Sequence, residues 1–98
     1  MEPIRNPVLT GTEVEFDALS NGCTRASDFS VQHAVVAGQC RLSVLRKRED
    51  NCRKAPSLER FSVPWRAPKN CNPDSIAFRN PVAANRAAAT GSTAKQLD

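Results

Sequence analysis

Four cysteines, one histidine and one run of bases are the residues of this chain whose types and spacing could support chemistry. Cys23, Cys40, Cys52 and Cys71 have 16, 11 and 18 residues between neighbours. An even cysteine count in a 98-residue chain points to disulfides and an oxidising compartment. The competing readings are unpaired buried thiols and a structural zinc site, but zinc ligands usually come in close C-x2-C pairs that aim two sulfurs at one ion. This sequence has no such pair. An exchange-active disulfide would also need neighbouring cysteines to depress one thiol pKa. The spacing therefore predicts structural bridges, no bound metal and no cofactor.

His33 is the only histidine. It could act as a general base, so a small hydrolase is one alternative. No nucleophile elbow, paired-carboxylate motif or phosphate-binding glycine loop accompanies it, and no enzyme is expected. The alternating pattern places His33 in a strand, on its core-facing side, where a hydrogen-bonded structural residue or a sheet-edge residue is expected.

The charge is uneven. Residues 1–40 carry two bases against five acids, and residues 41–98 carry twelve bases against five, for a net charge of +4. The bases concentrate at Arg46, Lys47, Arg48, Arg53 and Lys54, the candidate binding patch. Such a cluster attracts an acidic partner, an anionic surface or nucleic acid. The plainer reading pairs the bases with Glu13, Glu15 and Asp17 across a solvent-facing sheet, with the remainder solvated. A single-strand nucleic-acid binder would interleave exposed aromatics with the bases. Here the aromatics fall on apolar faces and no recognition motif is present, so nucleic acid is not the expected partner.

These residues need elements to hold them, and the alternation of apolar and polar side chains supplies β-strands. Residues 12–18 place Val14 and Phe16 on one face and Glu13, Glu15 and Asp17 on the other. Residues 28–36 align Phe29, Val31 and Val35, and residues 40–47 align Cys40, Leu42 and Val44. Residues 59–66 align Phe61, Val63 and Trp65, and residues 75–79 offer Ile76 and Phe78. Turn-forming residues separate the runs, and no window shows helical periodicity. Pro64 cannot donate to a ladder, so its strand belongs at an edge or a bulge.

The second and third runs form a hairpin around Ala37-Gly38, a weak two-residue turn, or around a four-residue loop from Val36 to Gln39; in either case the numbers of opposite residues sum to 75. Phe29 then faces Arg46, Val31 faces Val44, His33 faces Leu42, and Val35 faces Cys40. The apolar residues of both strands share one face, as pairing requires. Cys23 and Cys52 are symmetric beyond the open end of this hairpin. Three connectivities are possible, and an up-and-down chain path favours Cys23–Cys52 with Cys40–Cys71; sequence alone does not decide. Each such bridge closes a loop of about 30 residues, contributing roughly 3 to 4 kcal/mol in the chain-entropy model.

The expected architecture is all-β: a small antiparallel β-sandwich, Ig-like or partial, of about five strands and two disulfides. One domain spans residues 11–82, between a flexible segment at 1–10 and a flexible tail at 83–98. The core must be small, anchored by Phe16, Phe29, Phe61, Trp65 and Phe78, with no tyrosine in the chain. No transmembrane run or lipidation signal is visible, and Met-Glu-Pro-Ile-Arg lacks the apolar stretch of a signal peptide. The choice is between a cytoplasmic protein and an exported domain whose leader is absent from this chain. The cysteines favour the second.

The segments Asn21-Gly-Cys-Thr24, Asp28-Phe29 and Asp50-Asn-Cys52 resemble a group of small uncharacterised bacterial secreted or lipoprotein-type domains. In that group a Gly-Cys-Thr near one strand matches a later Asp-x-Cys. The resemblance covers roughly residues 13–65 and implies a Cys23–Cys52 bridge in an exported protein. Cys40 and Cys71 lie outside it, and it carries no known activity. The expected function is a noncatalytic binding or interaction domain of the periplasm or extracellular space. It is expected to be a monomer that contacts a protein or an anionic surface. A cytoplasmic nucleic-acid-binding protein is the other alternative.

Overall fold

The computed structural model describes residues 2–83. Among these residues six strands form two three-stranded sheets: β1 (Arg5–Leu9), β2 (Glu13–Ser20), β3 (Phe29–Val36), β4 (Gln39–Arg46), β5 (Ser57–Pro64) and β6 (Ile76–Phe78). The sheet orders are β1-β2-β5 and β3-β4-β6. Single 3-10 turns at Ala26–Asp28 and Pro73–Ser75 are the only helical pieces among the described residues. The fold is an all-β sandwich with two disulfides.

Alternation dictates the layering. Every second residue of β2 is buried, which turns Val14, Phe16, Ala18 and Ser20 inward. From the opposite sheet, Cys40, Leu42 and Val44 of β4 meet them. Phe29 bridges the layers. Its ring centroid lies 5.0 Å from Phe16, edge-on, and 5.1 Å from Phe61, in the offset geometries that aromatic quadrupoles favour.

The β3–β4 hairpin has the expected register throughout, from Phe29↔Arg46 to Val36↔Gln39. Ala37 and Gly38 both have positive φ, 52° and 80°, which makes a type I′ turn matched to the twist of the strands. Alanine at the first of these positions costs roughly 1 kcal/mol of left-handed strain.

Four features depart from the sequence reading. The segment 1–10, expected to be flexible, contains β1, which pairs antiparallel with β2 through a register shift between Arg5 and Val8. The alternation was hidden there because Asn6 takes a positive φ of 49° and Pro7 follows it. The sheet is not wholly antiparallel: β6 runs parallel to β4, with Cys40↔Ile76 and Leu42↔Phe78. The chain path is not up-and-down either, since β5 crosses into the other sheet and pairs with β2 along its whole length. Pro64 does lie on an edge strand, at the last pair, opposite Glu13. Finally, His33 faces Leu42 in register but is exposed, because β3 overhangs the core beyond Val31.

One side of the sandwich is closed. Ile4 and Val82 form a parallel bridge, with Ile4 N–H donating to Pro81 O at 2.9 Å and Ala83 N–H to Ile4 O at 3.0 Å. Ala83 is buried by this bridge; the rest of the expected tail lies outside the described residues. On the opposite side β3 lies against β5. Among the described residues no helix is long and apolar enough to cross a membrane.

Candidate functional site

The basic run singled out by sequence flanks one carboxylate, Asp50, in the segment that follows β4. Asp50 Oδ2 accepts from the backbone N–H of Asn21 at 2.8 Å, the backbone N–H of Cys23 at 2.9 Å and the Thr24 hydroxyl at 2.6 Å. Its Oδ1 accepts from Cys52 N–H at 3.0 Å. The Asn21 side-chain amide donates back to Asp50 O at 3.2 Å. These bonds hold the Asp50 pKa far below the usual carboxylate range; the Thr24 hydroxyl is the largest cause, partly opposed by desolvation, and the N–H groups of Cys52, Cys23 and Asn21 assist. The carboxylate thus ties residues 21–24 to residues 50–52, and the Cys23–Cys52 disulfide spans the same two segments with Cα atoms 5.9 Å apart.

Gly22 completes the tie. Its φ is 107°, and a Cβ there would lie 3.1 Å from the Lys54 Cβ, so only glycine admits the close approach. Lys54 N–H donates to Asn21 O at 3.2 Å, which continues the pairing past the disulfide.

Arg46 is part of the scaffold, not of an open patch. Its guanidinium donates to both carboxylate oxygens of Glu2, at 3.0 and 2.7 Å, to Leu19 O at 2.8 Å and to Thr24 Oγ1 at 3.0 Å. It also stands 4.9 Å from the centre of the Phe29 ring, within cation–π range. The Glu2 hydrogen bond raises its pKa most, against a desolvation that lowers it, with further help from the charges of Glu2, Asp50 and Asp28. A continuous polar chain runs Glu2–Arg46–Thr24–Asp50.

The other four bases, Lys47, Arg48, Arg53 and Lys54, are all exposed. Among the described residues none of them enters an ion pair. The acids of β2 are engaged elsewhere: Arg60 reaches Glu15 at 3.6 Å and Asp17 at 3.1 Å. Glu13 accepts instead from the Ser62 hydroxyl at 2.7 Å, so, against the plainer reading, none of the three β2 carboxylates pairs with a base of the patch.

His33 meets the Trp65 ring in a T-shaped arrangement, at 6.1 Å between centroids. Among the described residues no carboxylate or hydroxyl hydrogen-bonds to it. Cys23, Asp50 and Cys52 bring potential ligand atoms within 4.8 Å of one another. Both sulfurs belong to a disulfide and carry no thiolate, and both carboxylate oxygens are occupied by donors, so the donor set does not suit a metal.

The second disulfide, Cys40–Cys71, is of the opposite kind. Both residues are buried, at 1% and 2% exposure, and the bridge pins the loop before β6 to the start of β4. Past β6, the side chain of Asn80 acts as a strand. Its Oδ1 accepts from Val44 N–H at 2.8 Å while its Nδ2 donates to Val44 O at 2.7 Å and Glu2 O at 2.6 Å. Nothing in the local sequence pattern marks Asn80 for this; its partners are 36 and 78 residues away.

Fold and site together define a disulfide-locked β-sandwich whose most basic loop is fixed by a half-buried polar tie. Comparison with known proteins gives no match: no family model fits the chain, and neither a curated protein nor a solved structure resembles it.

Proposed function

We propose that this chain is a noncatalytic binding domain of the periplasm or extracellular space that contacts an acidic protein face or another anionic surface through Lys47, Arg48, Arg53 and Lys54. The observation that supports this is the contrast within the basic run. Arg46 is consumed by Glu2 and Thr24, whereas the four neighbouring bases project unpaired from a loop held by Asp50 and a disulfide. A rigid mount lowers the ordering cost of contact, and unpaired exposed cations attract an anionic partner at long range. Two disulfides are typical of proteins from oxidising compartments, which supports the location.

The test is a combined charge reversal, Lys47→Glu, Arg48→Glu, Arg53→Glu and Lys54→Glu, with Arg46 left intact. Binding is measured to polyglutamate and to phosphatidylcholine vesicles with and without an anionic phospholipid. The proposal expects salt-sensitive binding by the parent chain to one of the anionic probes, lost on reversal. No binding by the parent, or equal binding by the variant, contradicts it. Binding confined to single-stranded oligonucleotides would transfer the patch to nucleic acid instead.

A further inference from the structure

Sheet edges offer unpaired backbone groups, and proteins normally blunt them with charge, proline, bulges or brevity. This sandwich has four edges, and three follow that rule. β1 carries Arg5, Pro7 and a register shift. β5 carries Glu59, Arg60 and Pro64. β6 is three residues long, and Asn80 then occupies the next ladder position on β4.

The fourth edge, β3, lies against β5 of the other sheet but carries none of these devices along its own length. It is eight residues long, Phe-Ser-Val-Gln-His-Ala-Val-Val, without proline, acid, lysine or arginine. Its register with β4 is unbroken. Val35 and Val36 are each 41% exposed.

The pairing shows which backbone groups are free. Lys47 N–H donates to Asp28 O at 2.7 Å, and Val36↔Gln39 closes a two-residue turn. Even-numbered residues of β3 therefore bond to β4, and odd-numbered ones point away from it. Phe29 N–H is used by Ala26 O. Val31, His33 and Val35 remain, each with an N–H and a C=O directed outward. Among the described residues no strand pairs with this side of β3.

We propose that β3 is a homodimer interface, pairing antiparallel with β3 of a second copy about a two-fold axis at His33. The strand is self-complementary in that register. Val31 lies opposite Val35 of the second copy, His33 opposite His33, and Val35 opposite Val31. All three free odd-numbered positions thus become hydrogen-bonded pairs, whereas a shift by two residues loses one of them. The faces match too: the valines meet on the inner side, and Gln32 meets Ala34 on the outer. Because β3 has no fixed charge, two chains of net charge +4 meet where no like charges stand opposed. The result is one continuous six-stranded sheet. A single pairing of eight-residue strands lies at the small end of interface sizes, so association is weak and concentration-dependent. This revises the monomer expected from sequence, which did not show which strand would be left at an uncovered edge.

The experiment is sedimentation equilibrium of the full chain from about 10 μM to about 1 mM, a range that spans weak association. Backbone amide exchange is measured at both ends of the range. Dimerisation is expected, with the amides of Val31, His33 and Val35 gaining protection as concentration rises. Val35→Lys should weaken association about tenfold or more, and Val8→Lys, an exposed valine on a guarded edge, should leave it unchanged. A chain that is monomeric at the highest concentration overturns the proposal. If the three amides then exchange freely, the edge is left to an extended segment of another protein. If they are protected at every concentration, the edge is covered within the single chain. Association that Val35→Lys leaves intact, without concentration-dependent protection of these amides, also overturns it.

Discussion

The Thr24 hydroxyl donates to Asp50 Oδ2 at 2.6 Å while its oxygen accepts from Arg46 Nη1 at 3.0 Å, so one buried threonine joins a carboxylate to a guanidinium. Through it the N-terminal Glu2, the end of β2, the end of β4 and the first disulfide form one polar assembly. Its directly bonded partners lie up to 44 residues apart in sequence.

Asp50 makes this assembly sensitive to acid. Its folded pKa is depressed, so its stabilising contribution is fully present above the unfolded carboxylate value of about 4. That contribution is lost as pH falls from there toward the folded value. Asp50→Asn should unfold at a lower denaturant concentration at neutral pH. Its stability should also change less than that of the parent chain below about pH 4. Equilibrium denaturation of both chains across pH 2 to 7 checks the slope.

Arg46 and Lys47 are neighbours with opposite roles. Arg46→Ala strands the Glu2 carboxylate and empties the space over Phe29, which should cost about 1 to 3 kcal/mol. Lys47→Ala should stay within about 0.5 kcal/mol, as an exposed substitution does. Chemical denaturation of the two single variants separates the scaffold from the patch.

Asn80 substitutes for a strand at Val44, so Asn80→Ala leaves a donor and an acceptor of β4 without partners. The expected cost is about 1 to 3 kcal/mol. Asn80→Asp retains the acceptor for Val44 N–H but has no amide to donate to Val44 O and Glu2 O, and should recover only part of it. Accelerated exchange of the Val44 amide in Asn80→Ala is the direct readout.

Two turns respond oppositely to side-chain change. Ala37→Asn should stabilise the hairpin by about 0.5 to 1 kcal/mol, since asparagine tolerates the positive φ that alanine resists. Gly22→Ala should destabilise by about 1 to 3 kcal/mol, because the backbone is left-handed and Lys54 blocks the added methyl. Thermal melts of both variants show the two signs.

The hairpin was legible because two independent signals coincide there: period-two alternation in both strands and a turn-forming pair midway between them. They fixed the register, and with it the symmetric placement of Cys23 and Cys52. β1 was hidden because Asn6 and Pro7 break the alternation within a five-residue strand. The crossing of β5 to the other sheet left no local trace, since an amphipathic strand reads alike whichever sheet receives it. Arg46 read as one base in a run of bases because its partner, Glu2, lies at the far end of the chain. Asp50 had a signal in its spacing from Cys52 and from Asn21-Gly-Cys-Thr24, but sequence shows that spacing without the N–H groups that give it meaning.

The disulfide pattern is the claim on which fold and location both rest. Protein isolated under non-reducing conditions is unfolded, titrated for thiols and digested for peptide mapping. The account predicts no reactive thiol and two linked pairs, Cys23 with Cys52 and Cys40 with Cys71. Under graded reduction by a soluble thiol the exposed Cys23 bridge should open before the buried Cys40 bridge. Four free thiols, or Cys23 linked to Cys40 or Cys71, would contradict it.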